Sequence, residues 1–426
     1  MNNQRIGLLA ATVLAALAAP SARAIDVTAG AWTLSFDGNV NANYIYSDCE
    51  DHNDIAGGLA CVSDTTSDES SSVSNGLLPA ALTVSGATTQ EGQNIGFTFG
   101  LYPGISTNDG GSPNLEDIAN TNDGHTALGT AGLDIRQVFL TVGNGSWGTV
   151  MAGRNIGLFG ADAILNDMTL LGVGAGNGDY ASPANTSLGS IGLGYIYTDW
   201  LSQINYTTPD MGGTKVTVGI FDPLNTLGEV PVNHSTPGFQ AKVAYTAGPL
   251  YLSASGLYQQ QRALCSNLAA GACTYGYTAG SYVSYGSTAF DLGGKYDIGG
   301  LEFMGWYYRG KGVGTTGLFV NSNDAMGSSR NSDGYLAQVT YKMGNTKVGV
   351  NYGDSNLEGT GLDRATVCGG VTGCLVRRND KYSLGLYQNV TDNLLFVAEF
   401  SKLESLNDAD QENSSWNLNA GLFLKF

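Results

Sequence analysis

From Trp32 to Tyr46 the chain alternates with one exception, Ile45. Trp32, Leu34, Phe36, Gly38, Val40, Ala42, Tyr44 and Tyr46 fall on one side, and Thr33, Ser35, Asp37, Asn39, Asn41 and Asn43 on the other. A period of two belongs to a β-strand, whose successive side chains point to opposite faces. The same period closes the chain, where Trp416, Leu418, Ala420, Leu422, Leu424 and Phe426 alternate with Ser415, Asn417, Asn419, Gly421, Phe423 and Lys425; Phe423 is the exception. Between these ends, Phe239-Ala241-Val243-Tyr245, Phe290-Leu292-Gly294-Tyr296, Tyr335-Ala337-Val339-Tyr341 and Leu394-Phe396-Ala398-Phe400 make further apolar rows. They are interleaved with Lys242, Asp291, Lys295, Gln338, Lys342 and Glu399, so the other face is wet. A soluble sandwich would bury such rows in a core. A wall between lipid and water repeats them along the whole chain instead.

The connections alternate in length. Short, turn-rich ones lie at Gly143 to Gly148, Pro209 to Gly213, Gly248-Pro249, Gly299-Gly300, Met343 to Thr346 and Val390 to Asn393. Long ones lie at Ser47 to Asn75, Pro103 to Thr130, Asn155 to Gly194, Asp222 to Pro237, Gln260 to Tyr282, Gly310 to Ser332, Asp354 to Asn379 and Glu404 to Asn413. Eight long loops imply eight hairpins, hence an all-β, transmembrane antiparallel barrel of 16 strands, or 18 if Ser190 to Tyr206 hides another. A barrel of that width leaves an aqueous channel, whereas one of eight strands is filled by its own side chains. Lys242, Lys295, Lys342 and Lys347 are predicted to face the lumen.

Composition supports the membrane reading. Charged residues are 13% of the chain, with 61 Gly and 22 Tyr, where a soluble protein carries about 25% charged residues. Residues 1–24 read as a secretory signal: Arg5, an apolar run from Ile6 to Ala19, Pro20, then the small-residue site Ala22-Arg23-Ala24. Residues 25–426 are then the mature barrel domain. No later stretch approaches the ~20 apolar residues of a spanning helix. Without Arg5 and Arg23, 17 basic residues face 37 acidic ones, a charge of −20 that makes nucleic acid an unfavourable partner.

Six cysteines form three close pairs, Cys49 with Cys61, Cys265 with Cys273 and Cys368 with Cys374, each within one polar segment, and local loop disulfides are the natural reading in an exported protein. Metal ligation fits poorly, since no pair has CxxC spacing and His52, His125 and His234 are scattered. The same scatter leaves no nucleophile-and-base constellation, so neither an enzyme nor a cofactor is expected.

Two motifs carry a family resemblance. Leu133-Asp134-Ile135-Arg136-Gln137-Val138-Phe139-Leu140 and Thr149-Val150-Met151-Ala152-Gly153-Arg154-Asn155-Ile156-Gly157 resemble the general trimeric diffusion porins, in which an Arg-x-x-Phe strand, a short turn and a strand ending Gly-Arg-Asn precede a third loop folded into the pore. Asp162-Ala163 and Asp167-Met168 look like that family's constriction-loop positions, although Leu171 stands where the family often has another carboxylate. The resemblance implies an outer-membrane channel of Gram-negative bacteria for ions and small hydrophilic solutes. It also implies a homotrimer surrounded by lipid and lipopolysaccharide, and assembly by the barrel-assembly machinery through the C-terminal Phe426. It would place Asp162 and Asp167 opposite Arg136 and Arg154 at the constriction, where opposed charges in a narrow neck orient polar solutes. Each has a plainer reading. Arg136 alternates with Asp134, Arg154 would pin the loop to the wall, and Asp162 would cap a helix.

Three further expectations follow. Trp306, Tyr307 and Tyr308 cannot all face lipid, and an aromatic girdle is their default reading. Gln137, on the outward row by simple alternation, hints at protein contact. The total charge leans toward cations, and the inward lysines oppose it. A sugar- or acid-selective channel, or an adhesin or receptor role for the long loops, remains the alternative.

Overall fold

The computed structural model describes residues 24–61, 68–105, 133–176, 186–225, 233–264, 282–324, 326–368 and 370–426. Its strands are β1 Ile25–Ala29, β2 Trp32–Cys49, β3 Glu69–Ser74, β4 Ala81–Gln90, β5 Gln93–Pro103, β6 Leu133–Asn144, β7 Gly148–Ile156, β8 Trp200–Thr207, β9 Thr214–Phe221, β10 Gly238–Ala247, β11 Leu250–Leu264 and β12 Tyr282–Ile298. They continue as β13 Leu301–Lys311, β14 Asn331–Met343, β15 Thr346–Glu358, β16 Val367–Cys368, β17 Val371–Thr372, β18 Val376–Asn389, β19 Leu394–Asn407 and β20 Glu412–Lys425. Short helices α1 Ala161–Asn166 and α2 Gly361–Ala365 lie in loops.

These strands close a 16-stranded antiparallel barrel, the lower of the two counts the sequence allowed. The sheet contains two extra short strands because two walls are broken. β3 and β4 share one edge of β2, pairing with its upper and lower halves, while β1 extends the row of β20 along the other edge. Phe426 sits at that seam, exchanging both backbone hydrogen bonds with Gly38 at 3.1 Å. The six predicted short turns all join consecutive strands, and a seventh, Glu91-Gly92, joins β4 to β5 with both residues at positive φ.

The outward rows are exposed and apolar around the whole circumference: Val40, Phe99, Leu140, Ile204, Val243, Leu292, Val350, Leu384 and Leu422 are examples. A hydrocarbon surround is the medium in which such a belt is at low energy. Inward rows carry Asn39, Asn41, Asn43, Gln240, Asp291, Gln338, Asn351, Glu399, Asn417 and Asn419, all buried. The two exceptions to alternation explain themselves here. Ile45 and Phe423 are buried on the inner face, Phe423 against Tyr387, Leu395 and Val397.

Two expectations are corrected. Trp306 and Tyr308 point inward and are buried against loop residues, and only Tyr307 joins the outer belt, beside Phe290. Gln137 also faces inward, because a β-bulge intervenes: Gly100 pairs with Gln137 but Leu101 pairs with Ile135, leaving Arg136 as the extra residue. One inserted residue reverses the parity on either side of it. Gln137 instead receives the Tyr102 hydroxyl (2.8 Å) and donates to Asn155 (3.1 Å).

Candidate functional site

The described parts of the third long loop, residues 157–176 and 186–199, run inside the barrel. They have little regular structure, so their backbone groups need partners, and the inner wall supplies them in strand order. On β10, Gln240 accepts from the N–H of Leu158 (2.7 Å) and of Phe159 (3.0 Å). On β12, Asp291 accepts from Gly160 N–H at 2.6 Å. Gln338 on β14 accepts from Met168 N–H (2.8 Å) and donates to the Asn166 carbonyl (2.9 Å). On β19, Glu399 accepts from Val173 and Gly174 N–H, each at 2.8 Å, and on β20 Asn417 donates to the Gly174 carbonyl at 2.8 Å. The return leg passes β15, where Gly194 N–H reaches Ser355 at 3.0 Å. The approach is close enough that a Cβ on Gly353 would run into the Leu193 carbonyl.

Apolar contacts seal the same path. Ala163, Ile164, Leu170, Leu193 and Tyr195 of the loop pack on Trp306, Leu336 and Leu403 of the wall, with Ala60 of the first loop and Leu77 between β3 and β4. A second cluster sets Leu158, Phe159 and Ile196 against Tyr308 and Leu257 of the wall and Val313, Leu318 and Phe319 of the sixth loop.

The predicted acids lie in this loop, both buried. Asp162, 6% exposed, pairs with Lys242 (3.1 Å) and accepts from Tyr251 (2.9 Å) and Ser253 (2.5 Å). Burial pushes its pKa up, but the Lys242 charge and these hydrogen bonds outweigh it and hold the carboxyl below the ordinary aspartate range. It does not cap α1, whose N-cap is Gly160. Asp167, 3% exposed, does cap: its side chain accepts from Thr169 N–H (2.9 Å) at the start of a 3-10 turn, Met168–Leu171. The Tyr195 hydroxyl (2.9 Å) and Asn351 (3.3 Å) also donate to it. Burial, then Asp167, keeps Tyr195 well above the usual phenol range.

The predicted arginines lie among other groups. Arg136 is buried, bonded to Asp134 (2.7 Å), with its guanidinium carbon 5.1 Å from the Tyr102 ring centre and 5.8 Å from that of Trp200. Arg154 pairs in register with Val138 and Ser202, in the outward row, while its neighbour Asn155 turns inward to Gln137. Lys242, Lys295, Lys342 and Lys347 all fall on inward rows. Lys295 lies 3.7 Å from Glu302; Lys342 and Lys347 face one another near the Met343–Thr346 turn, and the Lys347 ammonium sits 4.8 Å from the Tyr387 ring centre.

Cys49 and Cys61 form a disulfide, and Cys374 is disulfide-bonded. Cys265 and Cys273, the Cys368 side chain and His125 lie outside the described residues. The residues that sequence reading left unassigned are the wall anchors. Asp291, Gln338 and Glu399 were legible as inward-facing, but the residues they would grip were not. Lys381, fully buried on β18 with its ammonium on Ser383 (2.9 Å), interacts electrostatically with both Asp167 and Glu399.

A family model described as Gram-negative porin matches residues 10–408. No curated protein matches the chain. Among solved structures, the outer-membrane channel DcaP of Acinetobacter baumannii superposes with a TM-score of 0.65 at 15% identity, covering 95% of this chain and 100% of that one. OmpT of Vibrio cholerae gives 0.55 at 16% identity, covering 94% and 100%. OmpF of Salmonella typhi, in complex with daunomycin, gives 0.55 at 12% identity, also covering 94% and 100%. At these identities the likeness is one of fold.

Proposed function

The chain belongs to the Gram-negative porin family and is an outer-membrane channel for passive diffusion of small solutes, and we propose that its bore and field are set by the third loop. The observation that carries this is the loop's course inside the barrel, tied to the wall from β10 to β20. We read the molecule as non-catalytic, exported by residues 1–24, assembled through Phe426 by the barrel-assembly machinery, and seated in lipopolysaccharide as a homotrimer.

Its neck is proposed to select only weakly by sign. Asp162 is matched by Lys242 and Arg136 by Asp134, and Asp167 is enclosed by hydrogen bonds, so the lean toward cations in the total charge does not carry over to the neck. Reversal potentials under a potassium chloride gradient are therefore expected near zero. A strongly cationic value would overturn this.

Single-channel conductance of the purified protein in concentrated potassium chloride tests the main reading. Large ohmic steps in threes support a trimeric general porin, and absence of current contradicts a channel. A second reading, a narrow solute-selective channel, is favoured by the first and sixth loops also packing inside. Small steps blocked by a sugar or carboxylate would select it.

A further inference from the structure

The start of the first loop also lies against the wall, on the strands next to β2. Leaving β2 at Cys49, it is closed on itself by the disulfide to Cys61, and the intervening segment leans on the opposite side of the barrel seam. Asn53 makes four bonds there. Its N–H donates to Asn413 (2.8 Å), its amide donates to the Glu412 carbonyl (2.8 Å), and its two oxygens accept from Asn413 (2.9 Å) and Gln411 (3.2 Å). Ala56 and the segment before β18 exchange backbone bonds: Ala56 N–H donates to the Cys374 carbonyl and Val376 N–H to the Ala56 carbonyl, both at 2.9 Å. Farther in, Asn379 donates to the Gly57 carbonyl (3.1 Å), and one hydroxyl, Ser405 Oγ, accepts from both Leu59 and Ala60 N–H at 2.9 Å. Ala60 ends in the cluster that holds Leu188, Ile191, Leu193 and Tyr195, the return leg of the third loop.

The segment 53–61 thus runs from β2 along its neighbours β20, β19 and β18 and packs against the return leg of the third loop. It contains no strand or helix of its own. What fixes its ends together is the crosslink. We propose that this segment is a strap that braces the third loop against the wall of the mouth, locked by Cys49–Cys61, and that thiol–disulfide exchange with a small external thiol unlocks it and widens the passage. Both cysteines are partly exposed. A thiolate attacks one sulfur to form a mixed disulfide, releasing the other cysteine as a thiolate. A second thiol of the reagent then displaces the remaining cysteine, leaving two cysteine thiols and the reagent as its disulfide. Losing a crosslink of this size favours the detached strap by roughly a hundredfold through loop-closure entropy. The hydrogen bonds to β18–β20 then hold it only part of the time.

This inference rests on the channel reading, and the test separates the two. Conductance and the largest permeating neutral polymer are measured in planar bilayers for the full-length oxidised protein, before and after adding dithiothreitol on the loop side, and for the double variant C49S/C61S. The double variant is expected to show larger steps and a higher size limit, the wild type to approach it on reduction, and the variant to change little further. Equal conductance and size limit in variant and oxidised wild type would overturn the strap. S405A with the disulfide intact covers a failure of the double variant to assemble: it removes the acceptor shared by Leu59 and Ala60, and unchanged conductance there also counts against the strap. No current from the wild type would overturn the channel reading instead.

Discussion

The two faces of one strand are built to different standards. On β19, Phe396, Ala398 and Phe400 look outward and Val397, Glu399 and Ser401 inward. The outward set is exchangeable, since lipid asks only that each side chain be apolar and of any shape. Every inward residue has a particular neighbour: Val397 packs on Phe423, Glu399 holds the third loop, and Ser401 shares a hydrogen bond with Ser383 at 2.6 Å. The outer face is specified by a pattern, the inner face by identities. An insult to each should therefore read out differently, as lost assembly outside and as altered conductance inside.

The largest effect is expected outside. Leu384→Arg places a charge in the exposed belt and should cost about 2–4 kcal/mol near the bilayer midplane, seen as a lower urea midpoint in vesicles with unit conductance unchanged in the folded fraction. Inside, Glu399→Ala removes the acceptor for two loop N–H groups and for the Tyr387 hydroxyl, a loss of about 2–3 kcal/mol locally. It should raise step size and current noise, and an unaltered trace would mean that the loop is held by packing alone.

Asp162 sharpens the comparison through pH. Its pKa in the folded protein lies below the unfolded value of about 3.9, so its contribution is fully present above that value. It is lost as pH falls through the lower, folded pKa. The part of the conductance that depends on Asp162 should thus be steady from neutrality into mild acid and change only in strong acid, and Asp162→Asn should show that change already at neutral pH. The smallest effect belongs to neither face. Arg377, at the start of β18, and Asp410, between β19 and β20, pair at 2.9 Å with both side chains well exposed, and Arg377→Ala should change stability by at most about 0.5 kcal/mol.

The barrel was legible because a membrane forces the strand period onto the chain, and the two breaks in that period, Ile45 and Phe423, marked where loops press on the inner wall. An apolar residue at a wet position is such a signal, and Trp306 and Tyr308 carried it too. The bulge at Arg136 carried none, because an inserted residue leaves composition and apparent alternation intact, and the parity of Gln137 was misread in consequence. Nor does the sequence tell which wall residue meets which loop residue. Asp291 and Glu399 stand 131 and 225 positions from the N–H groups they accept, in a loop with no periodicity to align against them. Glu91-Gly92 was unreadable for a local reason, since glutamate is seldom the residue at positive φ in a two-residue hairpin turn.

The anchors along β10, β12, β14, β19 and β20 grip the third loop by its peptide groups, and peptide groups are the same in every residue. At those points the wall reads the backbone, whereas Ile164, Leu193, Tyr195 and the Asp162 carboxylate are held by identity. Positions of the insert outside these contacts can drift, or be redesigned, while its trajectory survives. A lineage or an engineer can retune what this passage admits by editing one short stretch of chain without rebuilding the wall.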